Sequence, residues 1–347
     1  MRFYTKQHQF YCGIDPHARI MFICILDQSG KICLEKNLHS NPDEFLTAIE
    51  PFRSDIVVCV ERLFTWYWLA DLCAEQGIPF VLGHALYMNA IHGGRAKNDR
   101  IDAHKIAVLL RGGMIPQAYV YPPEMRSTGD VLRRRLYLVR KRGQLLAHIQ
   151  NTNHQYNLPE ISAKLAYKAN REGFVERFAD PSVRKSMEID LELVAHFDWL
   201  IRDPELFIVR QAKHHEADMF HRLRSIPGIG KVLALTILYE IHDIAKFDRV
   251  QDFASYCRLV KCAKESAGKK LGTGGKKIGN VHLKWAFSEA AVLFLRNSPE
   301  GQKLLARLTQ KHGKGKALSI LAHRLGRTAY YLMTRKRSFK MDNFLAA

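Results

Sequence analysis

The first third of the chain alternates short apolar segments with amphipathic ones in an order that restricts the possible folds. The segments at 9–15, 20–27 and 31–34 are separated by turn residues such as Gly30 and fit two or three strands, of which we take three. The next segments read in turn as helix, strand, helix, strand and helix, at Asn41–Ile49, Asp55–Glu61, 64–76, Pro79–Leu82 and 98–111. The order βββαβαβα predicts a mixed α/β sheet with helices on its faces. A Rossmann domain is not expected, because no predicted strand is followed by Gly-x-Gly-x-x-Gly.

Beyond residue 125 the apolar periodicity becomes helical. Apolar residues recur at three- and four-residue spacing in two segments, namely Leu132, Leu136, Val139, Leu146 and Ile149, and then Met187, Leu191, Val194 and Ile201. These segments predict two helices that pack antiparallel as an arm or a dimer seam, although an ordinary helical linker domain fits the same pattern. The 347 residues are predicted to form three domains at 1–125, 126–222 and 223–347, the last of them mainly helical.

Positive charge is concentrated in the last of these domains. The whole chain carries 53 Lys and Arg against 34 Asp and Glu, a net charge of +19. Residues 223–347 hold 24 basic and 8 acidic residues, whereas residues 1–125 hold 12 and 13. A surface that neutralises phosphates needs Lys and Arg close together. The distribution therefore predicts a polyanion-binding module joined to a charge-balanced domain.

Neither membrane insertion nor a disulfide framework is expected. The sequence contains no apolar run of the length that spans a bilayer, and no apolar signal core follows Met1. The 7 cysteines include no Cys-x-x-Cys pair and no zinc spacing. We therefore expect a soluble, intracellular protein with reduced thiols.

Four carboxylates of the charge-balanced domain are candidate metal ligands. Asp15 ends the first predicted strand and Glu61 ends a later buried strand, while Asp99 and Asp102 share one face of a predicted helix. Hard divalent cations prefer oxygen ligands, and two such ions can stabilise both sides of a phosphoryl displacement. We therefore expect these acids to bind Mg²⁺, in a two-ion site. Each acid alone also has a structural explanation, such as a salt bridge or a helix dipole.

Two glycine-rich segments of the last domain are candidates for phosphate contact. Pro227-Gly228-Ile229-Gly230 predicts a tight turn between two helices, where backbone N–H groups can approach a phosphate. Residues 261–277 contain six lysines and four glycines, predict a flexible basic loop, and match no Walker A motif. The residues expected to contact nucleic acid are Gly228, Gly230, Lys231, Lys264, Lys269, Lys270, Lys276 and Lys277, with Arg133 and Arg134 on the basic helix of the middle domain.

The chain resembles one family nearly end to end, the DEDD transposases of the insertion-sequence-110 type, which are bridge-RNA-guided recombinases. The resemblance rests on short motifs in a fixed order: Gly13-Ile14-Asp15, Val60-Glu61, Lys97-Asn98-Asp99-Arg100-Ile101-Asp102-Ala103, Pro227-Gly228-Ile229-Gly230, Ser266 to Lys269, and Gly279-Asn280-Val281-His282-Leu283. Two positions depart from the family pattern. Asn98 stands where the family usually has Thr, and Ala267 follows Ser266 in a segment that is usually a Ser-Gly run.

The resemblance implies an RNase H-like (RuvC-like) N-terminal domain, a coiled-coil middle and a C-terminal transposase domain. It implies that Asp15, Glu61, Asp99 and Asp102 bind Mg²⁺ and that Ser266 is the nucleophile. The implied reaction joins Ser266 to a 5′-phosphate of DNA, frees a 3′-OH, and then exchanges strands without ATP. The resemblance further implies that a non-coding bridge RNA selects the donor and target DNA by base pairing. We expect the protein to work as a dimer or tetramer in the cytoplasm, at the nucleoid of a bacterium or archaeon.

Two alternatives remain open at this point. One is a RuvC-like nuclease that resolves Holliday junctions with metal-activated water and forms no covalent intermediate. The other is a non-catalytic nucleic-acid-binding protein whose acids are structural. Replacement of Ser266 separates the first alternative from recombination, and replacement of Asp15 separates either enzyme from the binding protein.

Overall fold

A mixed β-sheet forms the centre of the N-terminal part of the protein. The computed structural model describes residues 2–92, 98–274, 278–296 and 298–346, and the chain divides into two compact units, Met1–Pro123 and Glu124–Ala347. The described strands of the first unit are β1 (Phe10–Pro16), β2 (Ile20–Asp27), β3 (Ile32–His39), β4 (Ile56–Glu61) and β5 (Phe80–Gly83). Its described helices are α1 (Pro42–Ile49), α2 (Tyr67–Glu75), α3 (Ala85–His92) and α4 (Asp99–Arg111).

The described strands of this sheet lie in the order β3-β2-β1-β4-β5. β2 is antiparallel to β1 and β3, whereas β1, β4 and β5 are parallel to one another. The predicted mixed sheet is therefore confirmed, with two differences. β3 extends to His39, beyond the predicted end at residue 34, because the polar residues Glu35 and Lys36 interrupt the apolar pattern. The short helix α3 was not predicted, because no capping signal marks its start.

Alternation along β1 directs its side chains to two different layers. Cys12 and Ile14 pack in the core that includes Phe45 of α1 and Leu69 of α2. Tyr11 packs on the opposite face, in the core that includes Ile106 and Leu110 of α4. Because side chains alternate along a strand, Asp15 lies on the same face as Tyr11 and Gly13, the face that α4 covers. Val57 and Cys59 of β4 lie in that core too, so Glu61 also lies on the α4 face.

The second unit is mostly helical. Its described helices are α5 (Pro123–Gln155), α6 (Pro181–Arg224), α7 (Lys231–Ile241), α8 (Val250–Tyr256), α9 (Val281–Phe294), α10 (Pro299–His312), α11 (Lys314–Arg335) and α12 (Met341–Ala346). All of these helices contribute to one core. Its buried side chains include Leu132, Phe220, Phe253, Phe287, Leu304 and Leu325. None of the described helices combines the length and the apolar character that a bilayer crossing needs.

Helices α5 and α6 run antiparallel and are joined along their length by ion pairs and by a hydrogen bond between His148 and Asp190. Arg135 lies 2.9 Å from Glu205, Arg142 lies 2.6 Å from Asp198, and His148 lies 2.6 Å from Asp190. A second core, formed by Ile149, Met187, Val194 and the connecting segment with Phe174 and Phe178, fills the space between the helices at the far end. The division of this unit into an arm (126–222) and a terminal domain (223–347) stays a prediction.

The basic segment after α8 differs from its prediction. Residues 262–274 form a two-stranded antiparallel hairpin of β6 (Cys262–Ser266) and β7 (Lys269–Gly274) rather than a flexible loop. Alternation of apolar residues, which normally identifies a strand in a sequence, is missing from this Lys- and Gly-rich segment. The chain thus combines an N-terminal mixed α/β sheet with a mostly helical remainder.

Candidate active site and nucleic-acid interface

Two of the predicted acids lie at the carboxyl ends of adjacent parallel strands. Ile14 of β1 pairs with Val60 of β4, so the next residues along the two strands, Asp15 and Glu61, lie side by side. Asp15 is a buried carboxylate, and Glu61 is half-buried. The strand register therefore brings these two acids to one edge of the sheet on the α4 face, as their positions in the sequence predict.

The other two acids lie in the first turns of α4. The Asn98 side chain caps this helix by accepting a hydrogen bond of 2.8 Å from the Ile101 N–H. Asn is among the preferred capping residues, so Asn98 fixes where α4 begins. Asp99 is the first residue of the helix, and Asp102 forms an ion pair of 3.5 Å with Lys105.

Gly13 allows the helix to approach the strand closely enough to place Asp99 near Asp15. A Cβ atom on Gly13 would overlap the backbone of Ala103 and Ala107 in α4. Both alanines are fully buried against Cys24 and Leu26 of the sheet. A larger residue at position 13 would push α4, and Asp99 with it, away from β1.

Among the described residues, three potential metal ligands converge at this point: Asp15, His17 and Asp99. The His17 Nε2 atom lies 3.5 Å from Asp15 Oδ2 and 3.3 Å from Asp99 Oδ1. The side chain of Asp15 is 12% exposed, whereas those of His17 and Asp99 are 49% and 47% exposed, so one side of the group faces solvent. Glu61 and Asp102 lie outside this group. Two carboxylates at the end of a buried strand and the start of a helix suit a hard divalent cation that keeps open positions for water or phosphate.

Ser266 lies at the tip of the β6–β7 hairpin and is exposed. It pairs with Lys269 across a two-residue turn, Ala267-Gly268, in which φ is +48° and +74°. Positive φ at both central residues defines the type I′ turn that favours tight hairpins. Directly opposed residues of an antiparallel pair project from the same face, so Lys269 places a cation beside the Ser266 hydroxyl. Ala267 holds a left-handed conformation that a Gly would adopt at lower cost.

The turn between α6 and α7 gives its two glycines different roles. Gly228 has φ +84°, and a Cβ there would overlap the backbone of Ala290 and Phe294 in α9. Gly230 caps α7 without a side-chain hydrogen bond and has open space around it, and Lys231 is exposed beside it. Gly228 is therefore required by packing, and the open side of Gly230 and Lys231 is where an anion can approach the start of α7.

Two transposase sequence models match the chain. Residues 12–157 match that of the DEDD transposases of the IS110 type, and residues 220–306 match that of the transposase IS116/IS110/IS902 family. The transposase for insertion sequence element IS1111A of Coxiella burnetii is 23% identical to the chain and aligns with 94% of it and with 90% of its own length. The putative transposase y4qE of Sinorhizobium fredii is 24% identical, aligned with 82% of the chain and 70% of its own length.

The chain belongs to the IS110 family of transposases. The family expected from the short motifs is therefore confirmed, and so is the class of enzyme, because an IS110-family transposase acts on DNA. The alternative of a non-catalytic binding protein is accordingly set aside. The family assignment implies a DNA-binding surface and suggests dependence on a divalent metal ion.

The predicted DNA contacts of the transposase fall into different structural settings. Arg134 is exposed, with its guanidinium 5.6 Å from the ring centroid of Tyr137. Lys269 is exposed at the hairpin tip. Lys264 and Lys270 belong to β6 and β7, whereas Lys276 and Lys277 lie outside the described residues.

Arg133, which is partly exposed, forms an ion pair with the buried Glu240. Its Nε and Nη2 atoms donate to Glu240 Oε1 and Oε2 at 2.9 and 3.1 Å, and the Asn280 amide donates to Glu240 Oε2 at 2.6 Å. Burial opposes ionisation of Glu240, but the hydrogen bonds and charge of Arg133, with the Asn280 hydrogen bond, hold its pKa below the usual value. Asn280 also caps α9 through the His282 and Leu283 N–H groups. The Asn280-to-Leu283 motif therefore joins α5, α7 and α9.

Two features of the transposase were not predicted from its sequence. One is His17, which follows Asp15 by two residues; a His at that spacing beyond a strand-end Asp was the available signal. The other is a cationic surface on α10 and α11. Between Glu300 and Asp342 the sequence holds eleven Lys and Arg and no Asp or Glu. Such a run was readable from the sequence as an unpaired positive segment.

This cationic surface begins with a stripe on α10. Lys303, Arg307 and Lys311 are exposed and recur every four residues on one side of the helix. α10 packs against α11, and burial followed by the charge of nearby Arg307 lowers the pKa of Arg324 on α11. Within the described chain, no Lys or Arg between 303 and 340 forms an ion pair with a carboxylate. An unneutralised surface of this kind suits a phosphate backbone.

Proposed function

We propose that this IS110-family transposase is an RNA-guided DNA recombinase that works through a 5′-phosphoserine intermediate on Ser266. Its N-terminal unit has an RNase H-like (RuvC-like) fold and holds Mg²⁺ on Asp15, Glu61, Asp99 and Asp102. The observation that carries the proposal is the convergence of the Asp15 and Asp99 carboxylates where β1 ends and α4 begins, in a chain of this family.

The strand order and the placement of the acids support the metal site. β1 and β4 are the neighbouring parallel strands at the centre of the sheet, and Asp15 and Glu61 follow their last paired residues. Asp99 faces Asp15, and Asp102 lies one turn further along α4, so the four acids provide oxygen ligands for two ions. A bound divalent ion supplies Lewis acidity at a phosphate and lowers the pKa of a nucleophile that it contacts.

The exposed hairpin tip supports Ser266 as the nucleophile. A bond forms between Ser266 Oγ and the phosphorus of a DNA phosphodiester while the bond from phosphorus to O3′ breaks. The hydroxyl proton of the serine is transferred to the departing O3′, which leaves as a 3′-OH. A 3′-OH of the partner DNA then displaces Ser266 from phosphorus, so that no phosphodiester bond is lost. Lys269, on the same face of the hairpin, stabilises the negative charge that develops on the phosphate oxygens.

The charge distribution supports a division of roles in which the protein binds nucleic-acid backbones and base pairing with an RNA selects the DNA sequence. Cations of α10 and α11, with Gly230 and Lys231 at the start of α7 and Arg134 on α5, bind sugar-phosphate backbones. A non-coding bridge RNA pairs with the donor and target DNA and thereby selects them. Two DNA partners must be held at once, which calls for a dimer or tetramer, acting on DNA in the cytoplasm at the nucleoid.

Trapping the covalent intermediate tests the chemical step. Full-length transposase is incubated with Mg²⁺, copurified RNA and labelled duplexes carrying the ends of its own element, and the products are run on a denaturing protein gel. The wild type should yield protein-linked DNA that protease digestion releases as a phosphoserine-tagged 5′ end. Ser266→Ala should yield no adduct, whereas Ser288→Ala, an exposed serine on α9, should match the wild type.

Two outcomes would contradict the proposal, and the first of them would favour a nuclease that attacks DNA with activated water. Cleavage by Ser266→Ala at the wild-type rate, without adduct, would favour activated water and overturn the serine mechanism. Adduct formation by Asp15→Asn at the wild-type rate would overturn the metal site.

Sequencing of copurified RNA tests the guided selection. The protein is purified from cells that carry its own element, and the bound RNA is sequenced. The proposal expects enrichment of one transcript from DNA that flanks the gene. Recovery of random cellular RNA alone would overturn the guided mechanism and leave the nuclease alternative in place.

A further inference from the structure

We propose that His17 is a third protein ligand of the metal ion bound by Asp15 and Asp99, and that its imidazole gives the site a preference for Mn²⁺ over Mg²⁺. The proposal rests on the proposed metal-binding function of the two aspartates. It adds a nitrogen donor to a site for which the sequence predicts oxygen donors alone.

The backbone holds His17 at the edge of the sheet beside these acids. Its N–H donates to the Ile20 carbonyl at 2.9 Å, and its carbonyl accepts from the Ser40 hydroxyl at 2.9 Å. The first bond closes the turn from β1 to β2, and the second ties that turn to the end of β3. A residue anchored on both sides of its peptide unit has few ways to leave the site, so its imidazole is directed toward the carboxylates before any ion binds.

The distances suit one ion with all three side chains around it. The His17 Nε2 atom lies 3.5 Å from Asp15 Oδ2 and 3.3 Å from Asp99 Oδ1, and one ligand atom from each of the three residues lies within 4.8 Å of the other two. A point within about 2.8 Å of three atoms at such separations always exists, not far from the bond lengths of about 2.0–2.2 Å of small divalent ions. Small side-chain adjustments would complete such a set. The half-exposed side chains of His17 and Asp99 leave the remaining positions open to water and phosphate oxygens.

The nitrogen donor determines the preference among metals. Mg²⁺ favours oxygen ligands, whereas imidazole raises affinity for transition-metal ions. A mixed site of two carboxylates and one imidazole should therefore bind Mn²⁺ more tightly than Mg²⁺. The same geometry would also arise if a protonated His17 merely paired with the two acids, and in that case His17 would compete with an ion rather than bind it.

Pulsed electron paramagnetic resonance of Mn²⁺ distinguishes these roles without any assay of recombination. Full-length transposase without nucleic acid is titrated with Mn²⁺, and affinities for Mn²⁺ and Mg²⁺ are measured by the free Mn²⁺ signal and by competition. The variants are His17→Gln, Asp15→Asn and, as a matched control, His39→Gln, whose imidazole pairs with Glu44 at 2.8 Å in the same unit.

We expect ¹⁴N coupling from one imidazole in the wild type and in His39→Gln, and its loss in His17→Gln. We also expect His17→Gln to lose at least about 10-fold in Mn²⁺ affinity and less in Mg²⁺ affinity, so that the ratio of the Mn²⁺ affinity to the Mg²⁺ affinity falls. A far-ultraviolet spectrum and an unfolding transition like those of the wild type would show that the half-exposed substitution leaves the fold intact.

Two outcomes would overturn the assignment in different ways. In the first, Asp15→Asn loses Mn²⁺ binding, whereas His17→Gln binds Mn²⁺ as tightly as the wild type or more tightly and keeps its ¹⁴N signal. This result would overturn the assignment of His17 as a ligand and leave the proposed acid site in place. Failure of the wild type to bind Mn²⁺, or full binding by Asp15→Asn, would overturn the metal site and the His17 assignment together.

Discussion

Two basic regions of the second unit use their cations in opposite ways. On α5 and the segment after it, Arg133, Arg135, Arg142 and Arg171 all contact carboxylates at 2.6–2.9 Å. On α10 and α11, and up to Lys340, the cations have no ion-pair partner in the described chain, and the sequence around them contains no acid. The first set holds helices together, whereas the second set is left for a partner. A high density of Lys and Arg therefore indicates phosphate binding only where carboxylates are absent.

The largest effect should come from removing Arg133, the cation of the first set that pairs with the buried Glu240 carboxylate. Arg133→Met leaves the Glu240 carboxylate buried without its guanidinium partner, and should lower the free energy of unfolding at pH 7 by about 2–4 kcal/mol. The lower end applies because Arg133 keeps a third of its surface in water. Chemical denaturation measures the loss, and an unchanged midpoint would show that this pair does not hold the helices.

The pH dependence of the same variant sharpens this prediction. Because the Glu240 pKa is lowered in the folded wild type, its ionisation stabilises the fold above the unfolded pKa, and the stabilisation is lost as pH falls through the folded pKa. Without Arg133, burial dominates and raises the Glu240 pKa. The stability deficit of Arg133→Met should therefore narrow as pH falls from 7 toward 5. A deficit that stays constant over this range would contradict the role of Glu240.

Neutralising the second set should affect DNA binding and leave stability almost unchanged. The double variant Lys303→Gln, Arg307→Gln should bind duplex DNA about 10- to 100-fold more weakly at low salt, with the slope of log affinity against log salt reduced by about 1.8. Fluorescence anisotropy across a salt series measures both quantities. The matched control is Lys185→Gln, Arg249→Gln, two exposed cations paired with Glu188 and Asp252. Equal losses in the two double variants would contradict the distinction between paired and unpaired cations.

The smallest effect should come from an exposed ion pair on α6, the helix that runs beside α5. Lys185 and Glu188 lie one turn apart on α6 at 3.0 Å, with the Lys185 side chain 71% exposed. Such pairs contribute little because water screens them and two long side chains must be ordered. Lys185→Gln should change the free energy of unfolding by less than about 0.5 kcal/mol. A larger loss in thermal or chemical unfolding would show that surface pairs along α6 stabilise the arm cooperatively.

The sheet was predictable because its signals are local. The apolar runs of β1, β2 and β4 identify the strands, the Asn41-Pro42 start identifies α1, and carboxylates at strand ends identify Asp15 and Glu61. The hairpin around Ser266 was missed for the opposite reason. Its strands are short, basic and glycine-rich, and the tight turn depends on positive φ at Ala267, a residue that gives no turn signal.

His17 was missed because a lone histidine has many uses in a protein. Its position beside two acids depends on how the β1–β2 turn is tied to Ser40 and on how closely α4 packs over Gly13. Neither distance is encoded in the spacing of Asp15, His17 and Asp99 along the chain. The choice of a nitrogen donor at this site therefore belongs to the tertiary structure.

The sequence by itself determined the family, the mixed sheet, the long helices and the strongly basic last third of the protein. It also determined that residues 301–341 contain no acid with which to neutralise their charge. Only the tertiary structure decided which of the other cations are neutralised, because Coulomb attraction depends on distance in space rather than along the chain. Arg133 meets Glu240 across 107 residues of sequence, and that contact joins α5 to the buried carboxylate of α7.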